Sequence, residues 1–169
     1  MRKLLDGIYD SAAALAALFM VGLLLMVLLS IVSRQLHFHV PGADAYAGYL
    51  MAASGFLALA HTLKRGEHIR VTLLLNALTG GAKKGMELWA LSLAALLAML
   101  FAFYSCKLAW QSRAFNDIST GSDATPLWIP QLAMAFGAVI LVVAFIDELV
   151  LEIRGQRFTV TSSEALRNE

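Results

Sequence analysis

The chain has 169 residues, 59% hydrophobic and 15% charged, against roughly 45–50% and about 25% in soluble domains, which excludes an ordinary water-soluble domain. A formal net charge of +1 gives no ground for a nucleic-acid partner or for an acidic one, so the placement of the charges matters more than their sum. The single cysteine, Cys106, excludes an internal disulfide and, late in an apolar run, reads as a small buried hydrophobe.

In chain order, Arg2 and Lys3 precede an uncharged run at 11–33, long enough at 1.5 Å per residue to cross about 30 Å of hydrocarbon. A signal peptide has a shorter apolar region and a small-residue cleavage site, so this is expected to be an uncleaved first span with its amino end inside. Pro41 and Gly42 then turn the chain in a short outside loop. Asp44 stands at the mouth of the second span, placed either to cap that helix or to meet a cation on another subunit. The second span, 45–63, carries Tyr46 and Tyr49 near its outer end, where amphipathic rings favour the headgroup level. Gly48, Ala52 and Gly55 recur at helical spacing along it, a face suited to close packing of a neighbouring helix.

A basic stretch follows, Lys64-Arg-Gly-Glu-His-Ile-Arg-Val-Thr72, and then an apolar segment too short to cross. The segment 69–79 is expected to form an interfacial helix whose basic flanks attract anionic membrane lipid. The third span, 87–110, has Trp89 and Trp110 as belt residues, with Lys107 able to snorkel to the outer boundary. A polar outside loop, 111–125, leads to Pro126, Trp128 and Pro130, a stiff aromatic entry to the fourth span at 126–149. That entry suits either a lipid anchor or a partner contact, and the loop carboxylates Asp117 and Asp123 are expected to keep the loop solvated. Residues 156–169 form a polar tail, so residues 1–155 make one transmembrane domain. The expected fold class is all-α: an integral membrane four-helix bundle with a short amphipathic helix on the cytoplasmic side.

The positive charges fit that topology. Arg2, Lys3, Lys64, Arg65, Arg70, Lys83, Lys84, Arg154, Arg157 and Arg167 fall inside, whereas Arg34, Lys107 and Arg113 fall outside. Lys and Arg are retained on the cytoplasmic side during insertion, so both termini are expected there.

Chemistry is sparse. No charged residue sits at the centre of any expected span, although such residues usually mark a substrate or ion pathway. Among the histidines only His61 falls within a span, which rules against paired axial haem ligands at matching depth. His37 and His39 make a weak surface metal pair, and no nucleophile set or phosphate loop is present. The chain reads as neither an enzyme nor a self-sufficient carrier, and no cofactor or metal is expected.

The segments Asp44-Ala-Tyr-Ala-Gly-Tyr49, Lys64-Arg-Gly-Glu-His-Ile-Arg-Val71 and Thr125-Pro-Leu-Trp-Ile-Pro130 resemble the small membrane subunit of tripartite ATP-independent periplasmic (TRAP) transporters. One departure is Ala45, where the family often has a glutamate. The resemblance implies a scaffold subunit joined to a large multi-span subunit that uses a cation gradient, sodium in the family, to take up an organic acid delivered by a periplasmic substrate-binding protein. It implies residence in the bacterial inner membrane and partner or scaffold roles for Gly66, His68 and Arg70, with Asp44, Gly48, Ala52, Gly55, Pro126, Trp128 and Pro130 as further interface candidates. A haem- or quinone-linked anchor of a redox enzyme, or a stand-alone small exporter, is the competing expectation.

Overall fold

A computed structural model describes residues 2–65, 81–121 and 123–155, with Arg2 and Lys3 described by backbone alone. The expected interfacial helix at 69–79, with Gly66, His68 and Arg70, and the tail 156–169 lie outside the described residues. Among the described residues there are four helices: α1 Arg2–Gln35, α2 Ala43–Lys64, α3 Gly81–Ala114 and α4 Trp128–Ile153. The described residues contain no strand, only an isolated antiparallel bridge between Ile118 and Pro126.

The two outer helix ends close in the same way. His37 after α1 and Asn116 after α3 take left-handed backbone, with φ of 54° and 53°. The amide of Phe38 then donates to the Ser33 carbonyl at 3.1 Å, and that of Asp117 to the Ser112 carbonyl at 2.9 Å. These bonds satisfy carbonyls that the helix itself leaves free. Helix α4 begins with Trp128, so Pro130 sits in its first turn, where a missing amide hydrogen removes no helical bond.

Packing runs α1 on α2, α2 on α4 and α4 on α3, with α1 only brushing α4. The helices therefore form an open row. Their seams are built from small side chains: Leu91, Ala95, Ala98, Ala102, Ser105, Ala109 and Ser112 are the buried residues of α3, spaced alternately by four and three. That is a heptad seam, and its alanines let α4 approach closely, as small residues do where lipid supplies no hydrophobic drive between helices. Cys106 follows Ser105 on α3 and is exposed, not buried as its apolar surroundings suggested, because the seam uses its neighbours.

Helices α2 and α4 approach closely at Gly137. A Cβ there would stand 2.5 Å from the Phe56 carbonyl oxygen, so only glycine fits without moving backbone. The Phe56 ring then reaches α3, stacking on Phe101 with centroids 5.7 Å apart. At the other end of the row Tyr9, Ala12, Ala60, Leu63, Ile140 and Ala144 join α1, α2 and α4 in one buried cluster.

Among the described residues, three helices are long and apolar enough to cross a membrane: α1 over Leu4–Gln35, α3 and α4. Helix α2 is not among these three; Tyr46, Gly48, Tyr49, Ser54, Gly55 and His61 interrupt its apolar stretch.

Candidate partner-docking and scaffold site

The polar groups gather at the two ends of the row. At one end Lys64, the last residue of α2, pairs with Asp147 and, at 3.2 Å, with Glu148, both on α4. Its ammonium also stands 5.5 Å from the centroid of the Tyr9 ring on α1. The three charged side chains are only 18%, 19% and 10% exposed. Charges this sheltered persist because they are paired, so the group clamps α1, α2 and α4 together. His61, one turn earlier, lies 3.6 Å from Asp10 of α1.

The opposite end carries a latch between the α3–α4 loop and the start of α2. Ser119 Oγ donates to Asp123 Oδ1 at 2.8 Å, and Tyr49 of α2 donates its hydroxyl to Oδ2 at 3.3 Å. Gly42 has φ of 78°, and a Cβ on it would stand 2.5 Å from that of Asp123. Both its conformation and its space therefore demand glycine. Asp123 was expected merely to solvate the loop; it joins the two outer loops instead. The hydroxyls of Thr125 and Tyr46 are 3.0 Å apart, and since a hydroxyl both donates and accepts, Tyr46 can donate to Thr125 while Thr125 donates to the carboxylate. Hydrogen bonding from Thr125, the largest influence, with that from Ser119 and nearby backbone amides, outweighs desolvation and holds the Asp123 carboxyl below its ordinary range.

Asp44 does not cap α2. Gly42 occupies the N-cap position, with no side-chain cap bond. Asp44 instead lies in the first turn, where a negative charge suits the helix dipole. It accepts a hydrogen bond from Ser30 of α1 at 3.0 Å and stands 3.7 Å from Arg34. Trp128 is partly buried under the Arg113 guanidinium, 5.4 Å from the ring centroid, and Pro126 is exposed beside its bridge to Ile118. Pro130 is partly buried. Asp44, Pro126, Trp128 and Pro130 thus share the end of the row opposite Lys64, while Gly48, Ala52 and Gly55 run along α2 away from it.

That small-residue face is open among the described residues. Gly48, Ala52 and Gly55 are all exposed, and no described residue beyond the helix's own backbone comes within 4 Å of where a Cβ would stand on either glycine. With Met51, Phe56 and Leu59 they line a groove of about 420 Å³. The helix they were expected to pack against is not α1, α3 or α4.

Four helix hydroxyls stay within their own helices. Ser33, Ser54, Thr62 and Ser105 each donate to a carbonyl three or four residues earlier on their own helix, the usual arrangement for a hydroxyl in an apolar helix. No group of three or more His, Cys, Asp or Glu positioned to hold a metal ion occurs among the described residues.

The described residues thus form an open row of apolar helices, fastened at both ends and carrying a small-residue groove on α2. The chain matches the family of tripartite ATP-independent periplasmic transporters, DctQ component, over residues 23–155. It belongs to that family, as a small TRAP transporter subunit, and the family is one of transporter components, not enzymes. No curated protein is similar enough to the chain to add a second comparison.

The sequence reading missed the inner clamp and the α3 seam. The seam was legible in the four-three spacing of its small residues. The clamp was hidden because Lys64 looks like one member of a basic loop, and nothing local ties it to carboxylates more than eighty positions later.

Proposed function

We propose that this chain is the stationary scaffold subunit of a TRAP transporter, spanning the inner membrane four times with both termini cytoplasmic. It assembles with the large multi-span subunit, which moves an organic acid inward at the expense of a cation gradient, sodium being the coupling ion. A periplasmic substrate-binding protein delivers that acid. The groove of Gly48, Ala52 and Gly55 is the surface to which a helix of the large subunit docks, and Gly66, His68 and Arg70 hold the cytoplasmic side of the scaffold.

The observation that carries this reading is the uncovered groove on α2. Small residues are enriched at helix interfaces within membranes because they let backbones approach, and among the described residues nothing covers that face, whereas the small-residue seam of α3 is buried. The absence of charge at the centre of the expected spans supports the same division of labour, since a carrier needs polar groups near the midplane.

The test is solute uptake in vesicles. The chain alone is expected to move no organic acid under a sodium gradient, and the large subunit with its binding protein is expected to need this chain for full uptake. Sodium-driven uptake by the chain alone would overturn the proposal.

A further inference from the structure

Between the α1–α2 turn and the tip of the α3–α4 loop lies a polar hollow of about 510 Å³, lined by Arg34, His37, Phe38, His39, Asp44 and Gly121 among others. It sits at the outer end of α1, whose exposed residues Leu24, Val27 and Ile31 lead up to Arg34 at helical spacing. An apolar track for an acyl chain therefore ends at a hollow of mixed charge.

We propose that this hollow binds the headgroup of a membrane phospholipid that pairs a phosphate with a primary ammonium. Arg34 and the imidazoles of His37 and His39 supply hydrogen-bond donors for the phosphate. A guanidinium grips two phosphate oxygens at once, and a neutral imidazole still keeps one donor. Asp44 supplies the carboxylate for the ammonium. The Arg34–Asp44 pair is loose, at 3.7 Å with the side chains 75% and 79% exposed. A loose, hydrated pair gives up little when a ligand separates it, and the zwitterionic headgroup replaces each partner with its own opposite charge. The acyl chains lie along Leu24, Val27 and Ile31. This site is at the opposite end of the chain from the cytoplasmic basic stretch expected to attract anionic lipid, and it selects by headgroup shape and not by net charge.

Native mass spectrometry of the full chain, released from detergent with defined lipids added, tests the assignment. Dioleoyl phosphatidylethanolamine is expected to bind as one tightly retained copy, with phosphatidylcholine of the same chains weaker because its quaternary ammonium has no hydrogen to donate to Asp44. Arg34→Gln combined with His39→Asn should weaken the ethanolamine lipid by roughly tenfold or more, the loss of a charge-assisted contact. Asp44→Asn should remove the preference over choline while the phosphate contact remains. Lys107→Gln, on another outer surface, should leave the lipid bound. The assignment is overturned if dioleoylglycerol, which has no phosphate, is retained equally, or if the Arg34/His39 variant keeps its lipid while melting like the wild type. Displacement of the lipid by millimolar inorganic phosphate alone would overturn the lipid as source and assign the hollow to a soluble anion.

Discussion

Asp123 shows how a single loop carboxylate fixes the outer end of the molecule. It holds the Ser119 and Tyr49 hydroxyls and sits against Gly42, so the loop cannot move without the start of α2. Its folded-state pKa is lowered, mainly by Thr125. A depressed carboxylate stabilises the fold fully above its unfolded value of about 3.9, and that contribution is lost as pH falls through the folded value. Hydrogen exchange is therefore expected to be slow in residues 115–127 at pH 5–7, after correction for intrinsic rates, and to quicken as pH falls below about 4. Asp123→Asn should show the quicker exchange already at pH 6. Equal protection in variant and wild type at pH 6 would show that the latch does not depend on this charge. Reading Asp123 as a solvating residue failed because its partners are 74 positions away on Tyr49 and at Gly42, and no local pattern points to them.

Between elements, the two decisive contacts are of opposite kinds. At Gly137 the requirement is space: Gly137→Ala pushes a methyl into the Phe56 backbone and is expected to cost about 1–3 kcal/mol as overpacking. A detergent unfolding titration checks this, with loss of the Phe56–Phe101 stacking as a companion signal. At Lys64 the requirement is charge. Lys64→Met leaves Asp147 and Glu148 sheltered without their cation and should cost about 3–5 kcal/mol, whereas Lys64→Met with both carboxylates changed to their amides should recover part of that loss. A single variant as stable as the wild type would mean that the clamp carries no weight. The four helices were readable because charge-free runs of membrane length punctuated by Pro, Gly and polar loops leave few alternatives. Their order in space was not, since an amphipathic stripe tells which face is small but not which neighbour meets it. Gly137 and Gly55 look alike in sequence, but a Cβ on the first would run into the Phe56 backbone, and a Cβ on the second would meet no packing partner within 4 Å among the described residues.

For the whole molecule, the row α1–α2–α4–α3 suits the proposed scaffold role. A row fastened by the Lys64 clamp at one end and the Asp123 latch at the other resists shear between α1, α2 and α4, and it leaves a broad face for a larger protein. The family and its transport role rest on the match over residues 23–155, and the sequence alone pointed there through the Gly-Glu-His-Ile-Arg-Val segment and the absent midspan charges. What it could not distinguish was a small-residue face packed within the chain from one kept for a partner, because both are built from Gly and Ala. The most direct measurement is purification of the tagged chain from its native membrane in mild detergent, wild type beside Gly48→Leu/Gly55→Leu, with mass identification of what accompanies each. The scaffold account expects a stoichiometric large multi-span partner with the wild type and its loss from the variant, while the variant's melting temperature stays close to wild type because a Cβ at those positions meets no packing partner within 4 Å among the described residues. A wild-type chain that purifies without such a partner, or a variant that retains it fully, would contradict the account.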